Sequence, residues 1–103
     1  MYIQRVRIYP QLGKVREMGQ HLESWVQTRQ GQGAKIGLSL QAFAPEGVVF
    51  VITISLQDLA ELEQLRVRNR ADPAFMASQA KIQELSRQHP TIELLEVLVP
   101  LAR

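Results

Sequence analysis

Few side chains in this sequence have the type and spacing that chemistry requires, and most of those have a structural duty open to them. His21 lies between Met18 and Trp25 at helical spacing, on the edge of an apolar stripe. An imidazole there can act as a base or hydrogen-bond donor in a pocket, or serve as a half-buried structural group. Glu17 stands one turn before it, but two ligands are short of a metal site, and His89 is remote and precedes Pro90 at a helix end. No metal is expected. Asp58 opens Asp58-Leu59-Ala60-Glu61, a capping box, and Asp72 precedes Pro73, so both carboxylates read as helix caps. Gly31-Gln32-Gly33 leads into a strand and lacks the helix N-terminus that lets a glycine loop hold phosphate. Ser39 completes no nucleophile elbow, and the absence of cysteine excludes thiolate chemistry and disulfides. No catalytic set and no cofactor are expected.

The arginines form the most distinctive polar pattern. Arg5, Arg7 and Tyr9 share one face of an alternating segment. Paired guanidiniums can clamp a carboxylate or phosphate, or they can pair with Glu93 or Glu96 of a neighbouring strand or with a partner subunit. Structural or interfacial pairing is the favoured reading, because unpaired arginines resist burial. Arg66, Arg68 and Arg70 alternate, do not share a helix face, and read as solvated.

Elements must position these groups. Tyr2 to Tyr9 alternates as a strand until Pro10; from about Gly13 the period becomes helical, with Val15, Met18, Leu22, Trp25, Val26 and Arg29 as one stripe. Two apolar, β-branched segments, 34–44 and 47–56, flank the turn Ala44-Pro45-Glu46-Gly47 and form a hairpin. In the first of these, Ile36, Leu38, Leu40 and Ala42 lie opposite Phe43 and its polar neighbours. A second helical region in two pieces follows, with Leu59, Leu62 and Leu65, then Phe75, Met76, Ala80, Ile82 and Leu85, facing inward. Thr91 to Leu101 is the last strand. This order predicts a ferredoxin-like βαββαβ sandwich: a four-stranded antiparallel sheet, spatial order fourth, first, third, second, with the helices on one face.

Composition sets the outer limits. The 103 residues, 46% hydrophobic and 21% charged, suit a single domain spanning 1–103 with one core. A net charge of +2 spread along the chain is no nucleic-acid footprint, so no nucleic-acid partner is expected. No apolar run approaches the ~20 residues of a membrane span, and the N-terminal residues lack a signal-peptide pattern. A cytoplasmic protein without a membrane partner is the expectation. The uncovered sheet face, in contrast, carries Val49, Val51, Leu95 and Val97 on one reading of its parity, and packing against a second copy would remove it from water. A homodimer through the sheet face is therefore expected.

In element order, in the strand leading to Gly13-Lys14, and in Arg70-Ala71-Asp72-Pro73-Ala74-Phe75, the sequence resembles the dimeric α+β barrel superfamily, which holds antibiotic-biosynthesis-monooxygenase-like and NIPSNAP-like domains. The resemblance implies a pocket between sheet and helices, lined by Tyr2, Gln4, Val6 and Ile8. Monooxygenase-like members use an Asn on the first strand with a Trp and a His from the second helical region. Here that strand has no Asn, Trp25 is on the first helix, and no His lies between Asp58 and Arg87. Two functions compete. The first is a small homodimeric barrel protein that binds a small apolar or anionic ligand. The alternative is a cofactor-independent monooxygenase or isomerase acting on an aromatic or polyketide-like molecule, with Trp25 and Phe50 holding the ring and Gln4 and His21 supplying polar contacts.

Overall fold

Alternation in the first segment produces β1 (Tyr2–Ile8), and the change to helical period produces α1 (Val15–Gly31). Then come β2 (Ile36–Gln41), β3 (Val49–Leu56), α2 (Leu59–Arg70), α3 (Pro73–Leu85) and β4 (Thr91–Glu96). The computed structural model describes residues 1–41 and 47–102. The expected turn residues Ala44, Pro45 and Glu46, and the strand positions Ala42 and Phe43, lie outside the described residues. Gly47, which follows them, has a φ of 90°, a conformation that costs glycine nothing and strains any residue with a Cβ.

The sheet order is β2-β3-β1-β4 with every pair antiparallel, the ferredoxin-like α+β arrangement that the element order predicts. Register settles the faces. Val6 stands opposite Ile52 on β3 and Ile92 on β4, so Gln4, Val6 and Ile8 share a face with Phe50, Ile52 and Ile54. The helices cover this face, and Ile8, Phe50 and Ile52 pack there with Met18, Leu22 and Val26 of α1 and Ile82 and Leu85 of α3.

Three boundaries and faces differ from expectation, each for a local reason. The last strand stops at Glu96 instead of running to Leu101. Tyr2 pairs with Glu96, and the Val97 amide reaches the Met1 carbonyl at 2.9 Å as the last contact between the two strands. Leu59 at 51% and Met76 at 55% exposure point outward, as does Ala80. The inward row of α3 is Phe75, Ser78, Ile82 and Leu85, and the serine in it hides the periodicity from a reading of apolar residues alone. On the open face, Val49 is already fully buried within the chain. The rest of that face is mixed, with Ile3, Val51 and Leu95 among Arg5, Thr53 and Glu93.

The helix ends follow their signals. Gly33 at φ 90° closes α1, its amide bonding the Gln30 carbonyl at 3.0 Å while the Ala34 amide bonds that of Arg29 at 3.0 Å. These are the paired bonds of a Schellman stop. Asp58 accepts from the Glu61 amide at 2.8 Å, and the Glu61 carboxylate reaches back to the Gln57 amide at 2.7 Å. Loss of the aspartate cap in Asp58→Ala is expected to cost about 1 kcal/mol in urea melts, whereas Asp58→Asn keeps most of it.

Candidate functional site

Between the covered sheet face and the helices lies a cavity of about 360 Å³, within the size range of small-molecule sites. Its floor is Gln4, Val6 and Ile8 of β1, Ile52 and Ile54 of β3, Ile36 of β2 and Ile92 of β4. Its roof comes from Trp25 and Arg29 of α1, Leu62, Leu65, Arg66, Asn69 and Arg70 of α2, and Phe75, Gln79 and Ile82 of α3. The break at Ala71-Asp72 matters here. By turning the second helical region into two helices it lets both present side chains to one space.

One end of the roof is a connected set of rings and charges. Trp25 and Phe75 stand 6.2 Å apart between centroids at 52°, and the Arg29 guanidinium lies 4.2 Å over the Trp25 ring. That guanidinium also donates to Asp72 at 2.6 Å and to Gln32 at 3.2 Å. Asp72 therefore does two jobs, since its other oxygen caps α3 at the Ala74 amide, 3.0 Å away. The Arg29 hydrogen bond holds the Asp72 carboxyl below the usual carboxylate range. Arg29 is thus neutralised by a fixed partner, and its role is to brace Trp25.

Gln4 and Trp25, two of the four ligand residues expected from sequence, meet at this cavity; His21 and Phe50 are not among its lining residues. His21 Nε2 lies 2.9 Å from the Ser78 hydroxyl, tying α1 to α3 beside the core. Burial, with Lys81 nearby, lowers the His21 pKa below its ordinary 6.5, outweighing a hydrogen bond with the Ser78 backbone, which raises it. The sign for stability follows. An imidazole that protonates less readily when folded contributes fully above pH 6.5 and loses that contribution as pH falls through the lowered value. Thermal melts between pH 8 and pH 5 are expected to show a fall in stability on acidification that His21→Gln reduces. Phe50 is 7% exposed and packs on Gly19 of α1, with its Cζ 3.2 Å from where a Cβ would stand. Its ring is core, not cavity wall.

Arg5, Arg7 and Tyr9 do not form one patch. Arg5 is exposed on the open face, with Glu93 of β4 directly opposite, and Arg7 stands opposite Thr91 and Val51. Tyr9 lies past the end of β1, is 4% exposed, and places its hydroxyl 2.8 Å from that of Thr91, with the Arg87 guanidinium 5.6 Å over its ring. Tyr9 is thus buried within its own chain.

Sequence reading missed Phe75, Gln79, Arg66, Asn69 and Arg70 as lining residues. A signal was present in the last three. Their spacing of three and four places them on one helix face, while Arg68, which breaks the set, is on another. Among the described residues no helix is long and apolar enough to cross a membrane, and no three His, Cys, Asp or Glu side chains cluster as metal ligands.

No family profile and no curated protein matches the sequence. Solved structures do match in shape. A protein from Mycobacterium tuberculosis, Rv0793, superposes with a TM-score of 0.70 at 14% identity over 98% of this chain and 98% of its own. A protein described as an antibiotic biosynthesis monooxygenase gives 0.71 at 17% identity over 97% and 100%, and Atu4242 from Agrobacterium tumefaciens gives 0.74 at 15% over 93% and 92%. With its β2-β3-β1-β4 sheet and three helices on one face, the chain has a ferredoxin-like α+β fold, similar to that of the structure described as an antibiotic biosynthesis monooxygenase.

Proposed function

We propose that this protein binds a small molecule with a flat, apolar body in the cavity between sheet and helices. The observation that carries the reading is the lining itself: aliphatic side chains from all four strands on one side and the Trp25–Phe75 pair on the other, the latter braced by Arg29 and Asp72. A preformed apolar slot with aromatic walls favours a ring system, because stacking adds to the burial of its surface. Calorimetry with 1-naphthamide, a neutral two-ring probe, is expected to show saturable binding. Trp25 is the only tryptophan, so its single indole N–H resonance should shift with the same saturation. Absence of both heat and shift would refute the reading.

A second reading, cofactor-independent oxygenation or isomerisation of an aromatic or polyketide-like molecule in the same cavity, has support from the similar structure described as a monooxygenase. Proton abstraction needs a group that titrates near neutrality within reach of the substrate. Among the described residues the titratable lining groups are arginines, and His21 faces Ser78 elsewhere, so binding is the better supported reading. Substrate-dependent oxygen uptake by the purified protein would reverse that preference.

The same proposal includes a homodimer through the open sheet face. Leu98, Val99 and Leu101, in the segment that follows β4, are 84%, 85% and 97% exposed, and the open face bears Ile3, Val51 and Leu95. Apolar surface of this kind is usually covered by a partner. Light scattering at micromolar concentration is expected to give twice the 11.7 kDa chain mass, and the monomer mass would count against it.

A further inference from the structure

The lining is not electrically neutral. Three arginines, Arg29, Arg66 and Arg70, are among the lining residues, and among the described residues no aspartate or glutamate is. Their environments differ. Arg29 is held by Asp72 at 2.6 Å and is spent on that partner and on Trp25. Arg66 has only a loose contact with Glu63 at 3.8 Å, on the exposed side of α2. Arg70 makes no hydrogen bond or ion pair among the described residues. The two uncommitted guanidiniums are a helical turn apart with Asn69 between them, and Gln79 of α3 lines the same cavity.

The geometry points to an amphipathic anion as the ligand: a planar apolar body in the slot and a carboxylate or similarly charged oxyanion at the mouth, held by Arg66 and Arg70 with Asn69 as an added donor. This deepens the proposed binding function and rests on it. The physical argument is one of matching. An apolar cavity bordered by cations without counter-charges penalises a neutral guest little but rewards an anionic one, because a carboxylate accepts charge-assisted hydrogen bonds from planar guanidiniums at low desolvation cost near the surface. Both arginines are exposed before binding, so the site carries no buried unpaired charge while empty.

The test compares 1-naphthoate with 1-naphthamide by calorimetry, since the two share a ring system and differ in charge. The wild type is expected to bind naphthoate at least about ten-fold more tightly than naphthamide, and raised salt should weaken naphthoate alone. Arg66→Gln/Arg70→Gln should erase that preference, bringing naphthoate to the affinity the same variant shows for naphthamide, and Arg70→Gln alone should reduce it. Arg68→Gln, which removes an equal charge from α2 outside the cavity lining, should keep the preference. Circular dichroism of each variant confirms the fold. Equal binding of both probes to the wild type, or a preference that survives the double substitution, overturns the anion site and leaves the cavity reading standing. Binding of neither probe overturns both.

Discussion

Ile54→Trp is expected to abolish binding of a two-ring probe while leaving the fold intact. Ile54 lies on β3, opposite Gln4 of β1 and Ile36 of β2, and its side chain enters the cavity floor half-buried. An indole built there would extend into the open space of about 360 Å³ toward Trp25 and Phe75. A guest ring burying roughly 200 Å² gains about 5 kcal/mol at ~25 cal/mol per Å², and the new side chain takes that space from it. Affinity for 1-naphthamide should therefore fall by at least about a hundred-fold. Because the added atoms fill a void instead of a packed core, the cost to stability should stay below about 1 kcal/mol, in contrast to overpacking. Retained affinity in a folded variant would place the ligand elsewhere.

The largest expected effect on stability belongs to Leu22→Ala. Leu22 is 0% exposed at the centre of α1's inward stripe, in the cluster that includes Ile8, Met18, Val26 and Phe50. Truncation there removes buried methyl groups and leaves a hole that a sheet on one side and two helices on the other cannot close, a change that costs about 2–5 kcal/mol. Against a total of roughly 5–15 kcal/mol for a domain, that is a large fraction, and the melting temperature should drop by about 10 °C or more. Met18→Leu, which conserves volume at an equally buried neighbour, is expected to cost less than about 1.5 kcal/mol. A small effect of Leu22→Ala would mean that the core relaxes around α1.

The two predictions separate what each side of the sheet-facing layer does. Core residues of α1 and α3 set stability near Ile8 and Phe50, whereas the cavity opens toward Gln4 and Ile54.

Local sequence determined the elements. Alternation made β1, apolar periodicity made α1, and Asp58, Asp72 and Gly33 set helix ends by hydrogen bonds that span only a few residues. Element order with right-handed crossovers was enough for the strand order β2-β3-β1-β4. The β4 boundary was not legible, because it depends on pairing with β1, a segment distant in the chain. The inward face of α3 was hidden by Ser78, whose hydroxyl lies within hydrogen-bond distance of His21 from another helix. The site divides in the same way. Gln4 was expected from the pocket that the family resemblance implies, and Trp25 from the stripe of a helix, a local property. The bracing of Trp25 by Arg29 and Asp72, the withdrawal of His21 to Ser78, the burial of Tyr9 and the contribution of Arg66, Asn69 and Arg70 to the cavity lining arise from contacts between segments distant in the chain. No periodicity within one segment encodes which side chain of another will stand against it; only tertiary packing decided those.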